Sequence, residues 1–173
     1  MMAYTIPVFG SSHGRSARYD ESALLTAKIP KTVIVDSIVV HKQARQMLVF
    51  SRNRLIKIYK VHLGKNPVGH KEMQGDYKTP EGLYYIKVHN PNSLYHKSLG
   101  ISYPNAQDIA RAKKIGKAPG GDIMIHGLPN FDSDAAADRY QNDWTWGCIA
   151  VCNEEIDELF ECVSPNTPVY ITP

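Results

Sequence analysis

Residues 32–64 read TVIVDSIVVHKQARQMLVFSRNRLIKIYKVHLG, and this stretch decides the fold class. Apolar runs rich in β-branched residues occupy positions 33–35, 38–40, 47–50 and 55–63, with short polar segments between them. Such runs favour strands, and the polar segments favour tight turns, here at 43–45 and 52–53. The stretch therefore predicts a β-meander that ends at Gly64.

The remainder of the chain adds short strands and helices. Further strands are predicted at 83–89, 123–125, 146–151 and 169–171. One helix is predicted at 105–115, with Asn105 as N-cap and Gly116 after its end. A second is predicted at 154–163, with Asn153 as N-cap. The expected architecture is mostly β, a β-sandwich or partly open barrel with short helices.

The length and composition indicate one soluble globular domain. The chain has 173 residues, of which 43% are hydrophobic and 21% charged. Residues 1–32 are expected to form an irregular N-terminal extension, with a short helix near 21–28, and residues 33–173 a single domain. Neither a membrane-spanning segment nor a signal peptide is visible, so we expect an export signal to have been removed from this chain.

The charge pattern does not indicate a nucleic-acid-binding protein. The net charge is +3, and the 20 Lys and Arg residues are scattered, although all lie at or before Arg139. This distribution favours two differently solvated faces. The alternative is a basic rim that meets an anionic polymer.

The three cysteines are Cys148, Cys152 and Cys162. Cys152 and Cys162 flank the predicted second helix, which would separate them by roughly 15 Å at about 1.5 Å per residue. A disulfide needs Cα atoms within about 7 Å. We therefore expect no internal disulfide.

Cys148 is the candidate nucleophile. Gly147 before it allows close approach to the sulfur, and a nucleophilic thiol needs a nearby base. His126 follows another short predicted strand and can supply that base if the two strands are neighbours. The competing interpretation is a buried structural thiol, which is commoner for a cysteine in a strand.

Chain order restricts the class of cysteine enzyme. All seven histidines precede Cys148, whereas papain-like enzymes place the histidine after the cysteine. No Lys or Arg follows Cys148, which argues against a sortase.

Several separated motifs resemble the L,D-transpeptidase catalytic domain, the YkuD family. They are IHG at 125–127, TWGC at 145–148, LGKNPVGHK at 63–71, the GD, TP, G and Y of 75–84, LGISYP at 99–104 and GGDIMIH at 120–126. The resemblance covers roughly residues 33–172. Separated motifs in the right order are far more specific than one motif alone.

The resemblance implies roles for individual residues. Cys148 would be the nucleophile and His126 the base, with no cofactor and no metal. Gly147, Trp146 and the N–H of Cys148 would form the oxyanion hole. The expected substrate-binding residues are Tyr103, Gly127, Thr145, Trp146 and His96. The expected substrate is the stem peptide of peptidoglycan, either free or linked to a lipoprotein, and the expected location is periplasmic.

Two positions depart from the family pattern. Trp146 stands where a second histidine is usual, and Ala150 stands where Arg or Asn is usual, so the clamp for a substrate carboxylate is missing there. The sequence thus leaves open a transpeptidase and a hydrolase of the same fold. A non-catalytic wall-binding module, and a zinc site of His126, Cys148 and Cys152, are further alternatives.

Overall fold

The computed structural model of the protein describes residues 20–130 and 142–173. These residues form eight strands: β1 (Ser37–His41), β2 (Gln46–Ser51), β3 (Arg54–Lys60), β4 (Gly82–Ser93), β5 (His96–Ile101), β6 (Met124–His126), β7 (Ile149–Ala150) and β8 (Pro168–Thr172). They also form three helices: α1 (Glu21–Thr26), α2 (Ala106–Lys114) and α3 (Asn153–Cys162). The predicted mostly β fold is confirmed.

The strands form one mixed sheet in the order β3-β2-β1-β8-β4-β5-β6-β7. Most neighbours are antiparallel, whereas β1/β8 and β6/β7 are parallel pairs. The meander β1–β3 occupies one side of the sheet, and the turn at Arg52 and Asn53 has positive φ at both residues, as a tight hairpin requires. Alternate residues face the core, so Ile38 pairs with Val49 and Val40 with Met47, all buried.

The sheet also curls so that its two ends meet. The N–H of His62, just after β3, donates to the carbonyl of Ala150 in β7 at 2.9 Å, and the reciprocal bond is 2.8 Å. Strand β4 is 12 residues long and joins the two halves of the sheet. The two bonds between His62 and Ala150 close the sheet into a barrel-like shape near β7.

The helices cover the sheet. The side chain of Asn105 caps α2 by accepting the N–H groups of Gln107 and Asp108. Helix α3 buries Ile156 and Leu159 in the core. No helix in residues 20–130 and 142–173 is both long and apolar enough to span a membrane.

The segment before β1 contributes to the domain. Lys57 in β3 donates from Nζ to the carbonyl of Leu25 at 3.1 Å, and Ile29 joins the hydrophobic core. Part of the predicted extension therefore packs on the sheet. Residues 1–19 of that extension, and residues 131–141, lie outside the described residues.

Several predicted boundaries differ from the structure. Strand β3 ends at Lys60, before Gly64, and β5 was not predicted. Cys148 precedes β7 and is not part of a strand. The N-cap of α3 is Cys152, because Asn153 instead uses its side-chain oxygen to accept the N–H of Leu128 at 2.8 Å.

Candidate active site

A tight loop at residues 145–148 carries Cys148. The hydroxyl of Thr145 accepts the N–H of Gly147 at 3.1 Å and donates to the carbonyl of Cys148 at 2.8 Å. The backbone of Thr145 is bonded on both faces, because its N–H donates to Leu63 and its carbonyl accepts the N–H of Lys65, each at 3.0 Å. The loop is thereby fixed to the end of the meander.

Gly147 is required by the geometry of this loop. Its φ of +130° is one that side-chain-bearing residues rarely adopt, and a Cβ atom there would lie 2.6 Å from the carbonyl oxygen of Lys78. Glycine lets the loop pass directly over the backbone of residue 78. The close approach therefore sets the path of the chain into Cys148.

The pairing of β6 with β7 brings His126 and Cys148 to one place. The two strands are parallel, with Ile125 opposite Ile149 and His126 opposite Ala150. Cys148 is one residue before β7, and its Sγ lies 3.3 Å from the carbonyl oxygen of Asp122, just before β6. Both side chains line the same cavity, whose volume is about 780 Å³.

His126 is held as a neutral base. Its Nδ1 lies 2.7 Å from the carbonyl oxygen of Gly127, which can only accept, so Nδ1 carries the hydrogen and Nε2 keeps its lone pair. The rings of Tyr95 and Trp144 pack around the imidazole, with centroids 4.5 and 5.6 Å away. Burial lowers the pKa of His126 from 6.5 to about 4, and the bond to Gly127 offsets only part of this shift.

The resting thiol is also neutral. Burial raises the pKa of Cys148, and the charge of Asp122 acts in the same direction. The backbone N–H of Met124 and the charge of Lys71 oppose the rise without cancelling it. The site therefore holds a neutral thiol and a neutral imidazole, which suits proton transfer during the reaction better than a preformed ion pair.

One wall of the cavity is a loop anchored by Asp76. Its carboxylate accepts the ammonium of Lys71 at 2.7 Å and the N–H groups of Glu72, Met73 and Lys78 at 2.7, 3.1 and 3.1 Å. Burial alone would raise the pKa of Asp76, but these bonds together lower it. Lys71 is almost fully buried, so the pair is shielded from water.

The structure brings together four of the residues predicted for the site. Cys148, His126, Thr145 and Trp146 all line the cavity, and Gly147 lies in the same loop, packed against the backbone of Lys78. Trp146 is 76% exposed and contacts the ring of Tyr77 edge-on, with centroids 6.1 Å apart.

Three predicted substrate-binding residues lie elsewhere. Tyr103 is buried in the core, and its hydroxyl donates to the carbonyl of Pro119 at 2.8 Å. His96 contacts Asp157 at 2.9 Å. Gly127 packs so tightly that a Cβ would lie 2.6 Å from the side-chain oxygen of Asn153. None of the three lines the cavity.

Several residues that line the cavity were not predicted from the sequence. They are Lys65, Lys71, Gln74, Gly75, Tyr77, Tyr95, Gly120, Gly121, Asp122, Ile123, Pro129 and Trp144. Many of them fall inside the motifs quoted above, so the motifs contained the signal. Spacing along the chain, however, cannot tell which motif residues face the cysteine.

The described residues contain no group of three or more His, Cys, Asp or Glu side chains that could hold a metal ion. Cys148, Cys152 and Cys162 are free thiols. Cys152 is the N-cap of α3, and its N–H donates to the side chain of Glu155 at 2.9 Å. Cys152 therefore caps helix α3 and does not line the cavity.

A closed β fold that holds a cysteine and a neutral histidine in one cavity has the groups that nucleophilic catalysis by a thiol requires. The model of the YkuD family, the L,D-transpeptidase catalytic domain, matches residues 35–171. The chain belongs to this family.

Relatives and solved structures agree with this assignment. The chain is 34% identical to the candidate L,D-transpeptidase YafK of Escherichia coli (strain K12) over 69% of its own length and 45% of that protein. It is 27% identical to the candidate L,D-transpeptidase YqjB of Bacillus subtilis (strain 168), over 78% of this chain and 70% of YqjB. The chain thus spans about half the length of YafK.

Among solved structures, Bd1075 of Bdellovibrio bacteriovorus is 28% identical with a TM-score of 0.56, covering 86% of this chain and 51% of that one. The helical cell shape determining protein Pgp2 of Campylobacter jejuni is 25% identical with a TM-score of 0.58, covering 80% and 49%. The L,D-transpeptidase of Mycobacterium smegmatis, at 11% identity and a TM-score of 0.54, covers 80% and 59% and shares the fold.

Proposed function

We propose that this domain transfers acyl groups of peptidoglycan stem peptides through a thioester on Cys148. The observation that carries the proposal is the shared cavity of Cys148 and His126, in which the Nδ1–H bond to Gly127 leaves Nε2 as the base. The family assignment supplies the substrate class. Because the substrate is the cell wall, the expected location is outside the cytoplasm, in the periplasm for a Gram-negative cell.

In the first step, Nε2 of His126 takes the thiol proton while Sγ of Cys148 attacks the carbonyl carbon of an L-centre that is joined to a D-amino acid. The carbonyl π electrons move to oxygen and form the oxyanion. When the oxyanion collapses, the peptide C–N bond breaks and His126 returns the proton to the leaving amine. The product is a thioester on Cys148.

The proposed oxyanion donors are the N–H groups of Trp146 and Cys148. The N–H of Gly147 already donates to Thr145, so Gly147 contributes through its backbone conformation instead. Losing one donor of this kind typically costs about 3 kcal/mol of transition-state stabilisation. Backbone donors held by the Thr145 loop need no reorganisation during the reaction.

The thioester can pass to an amine, giving a cross-link, or to water, giving hydrolysis. The hydrolytic alternative, by an L,D-carboxypeptidase or an enzyme that releases peptidoglycan-linked lipoprotein, is favoured by one feature. Ala150, two residues after the nucleophile, is buried in β7 and offers only a methyl group, so it cannot clamp the carboxylate of a substrate.

The test is incubation of purified sacculi with wild-type protein and with Cys148→Ala, followed by mass spectrometry of the muropeptides. New muropeptides that contain a second joined stem support transpeptidation. Stems shortened by a D-amino acid, or released lipoprotein, support hydrolysis. The matched control is Cys152→Ser, which should behave as wild type.

A wall-binding module without catalysis predicts a different outcome. In that case a carbapenem would not acylate Cys148, and sacculi would be bound but unchanged. We expect acylation at Cys148 only, because Cys148 shares its cavity with the base His126, whereas burial raises the pKa of Cys152 and of Cys162 to about 12 and neither of those thiols lines the cavity. Peptide mapping of the acylated protein identifies the modified residue.

A further inference from the structure

Two opposite charges in the cavity have no partner within the described part of the chain. Lys65 and Asp122 both line the cavity beside Cys148, and both are exposed. In residues 20–130 and 142–173, neither side chain makes an ion pair or a hydrogen bond, whereas the cavity-lining Lys71 is paired with Asp76. Lys65 and Asp122 are therefore available to a ligand.

Backbone bonds fix both residues to the reacting centre. The N–H of Lys65 donates to the carbonyl of Thr145 at 3.0 Å, which ties it to the loop that carries the cysteine. The carbonyl of Asp122 accepts the thiol of Cys148 at 3.3 Å. A ligand held by the two side chains would consequently lie beside the sulfur.

The position of Asp122 disfavours the thiolate of Cys148. Its negative charge raises the pKa of Cys148, which opposes formation of the nucleophile. Its backbone also adopts a φ of +55°, a region that Asp and Asn tolerate better than most residues. A cation bound to Asp122 would neutralise the carboxylate and remove its effect on the thiol.

We propose that Lys65 and Asp122 together bind a zwitterionic amino-acid centre of the substrate, with Lys65 on its carboxylate and Asp122 on its ammonium group. This inference rests on the proposed function and names its substrate class. A stem peptide offers such a centre when its third residue is a diamino dicarboxylic acid such as meso-diaminopimelate. The D-centre of that residue carries a free amine and a free carboxylate, whereas lysine at the same place offers the amine alone.

Lys65 would contact the D-centre carboxylate, and Asp122 the D-centre ammonium group. The two side chains bind different groups of one substrate. Blocking either group should therefore remove the contribution of only one of the two side chains to binding. A hydrogen bond to a charged group contributes enough that its loss lowers kcat/KM by about 10- to 100-fold. This separation makes the inference testable by pairing substrate analogues with variants.

The experiment uses the whole chain and four disaccharide tetrapeptides: unmodified, amidated at the D-centre carboxylate, acetylated at the D-centre amine, and blocked at both. We expect the wild type to lose about 10- to 100-fold in kcat/KM for each single block. Lys65→Gln should no longer distinguish the amidated form but should still reject the acetylated form. Asp122→Asn, which tolerates the same φ, should show the reverse pattern.

Lys113→Gln and Glu154→Gln serve as matched controls, because both residues are exposed and lie on helices α2 and α3 away from the cavity. Both controls should keep the wild-type discrimination. Equal kcat/KM of the wild type for all four substrates would overturn the inference. So would variants that slow all four substrates to the same extent.

A binding measurement tests this inference independently of the proposed function. The same four ligands are titrated calorimetrically into Cys148→Ala, which cannot form a thioester. A wild type without turnover on any substrate would refute the proposed function. Equal affinity of Cys148→Ala for the four ligands would refute zwitterion recognition, whereas weaker binding of each blocked form would support it.

Discussion

The hydroxyl of Thr145 lies 2.8 Å from the carbonyl oxygen of Cys148, and this contact closes the loop on which the cysteine sits. The hydroxyl oxygen of Thr145 also accepts the N–H of Gly147 at 3.1 Å. One buried hydroxyl therefore determines the orientation of the backbone on both sides of the Gly147–Cys148 peptide.

Replacing Thr145 with Val should disrupt this loop while keeping the side-chain volume. The N–H of Gly147 would be left buried without an acceptor, which costs about 1–3 kcal/mol of unfolding free energy. A displaced nucleophile should also slow acylation of Cys148, by about 100-fold for a shift of about 1 Å. Urea unfolding and carbapenem acylation rates measure the two effects.

Thr145→Ser is the matched control, because it retains the hydroxyl. It should acylate within a few-fold of wild type and lose little stability. Equal behaviour of the Val and Ser variants would show that the hydroxyl does not position the loop.

Gly147→Ala should be strongly destabilising. The added Cβ would lie 2.6 Å from the carbonyl oxygen of Lys78, and φ at this position is +130°. Strain of this kind costs of order 1–3 kcal/mol, before the clash is counted. Gly121→Ala is the folding control, because its Cβ would meet nothing within 4 Å. Thermal unfolding of the two variants should differ by several degrees, and equal melting temperatures would contradict the geometry.

His126 should make stability depend on pH in a definite window. Its pKa is about 4 in the folded protein against 6.5 ordinarily, so between these values the unfolded chain binds a proton that the folded chain does not. The wild type should therefore lose roughly 3 kcal/mol of unfolding free energy as the pH falls through this window. Below about pH 4 this contribution no longer changes, because His126 is then protonated in both states.

The measurement is denaturant unfolding of wild type and His126→Gln at pH 7, 6, 5 and 4. The other histidines and the carboxylates are common to both proteins, so the difference between the two curves reports on His126. We expect the unfolding free energy of the wild type to fall relative to that of His126→Gln as the pH falls. Parallel curves would show that the imidazole is not held neutral by burial.

Asp76→Asn should weaken the cavity wall. The variant leaves the ammonium of Lys71 buried opposite a neutral amide, and breaking a buried pair from one side costs about 3–5 kcal/mol. Lys71→Met combined with Asp76→Asn should recover part of that loss, since no unpaired charge remains. Glu161→Gln breaks the exposed pair with Lys31 and should cost less than about 1 kcal/mol. Chemical unfolding of these variants tests the difference between buried and exposed pairs.

The sequence predicted most of the sheet because the meander is locally encoded. β1, β2 and β3 consist of β-branched and apolar runs separated by turns, so each strand is visible in isolation. β5 was missed because His96, Ser98 and Gly100 weaken its strand character, and His96 even has a φ of +65°. This segment becomes a strand through its pairing with β4 and β6, which no local pattern reveals.

The candidate site was likewise predicted only in part from the sequence. Cys148 and His126 were predicted from motif and chain order, and the structure places both in one cavity. Tyr103 was predicted to bind substrate but packs in the core, since an aromatic residue inside a motif can serve either purpose. Lys65 and Asp122 fall inside the quoted motifs, but the sequence could not show that their side chains are unpaired, because pairing depends on three-dimensional neighbours.

The bond between His62 and Ala150 also determines how a substrate can approach. Strand β7 is two residues long and would otherwise be an edge to which an extended peptide could add as a further strand. His62 occupies both backbone groups of Ala150 on that side. An extended peptide therefore cannot add to β7 at Ala150 as a further strand, so a stem peptide bound as proposed above would be held in the cavity by its side chains and charged ends.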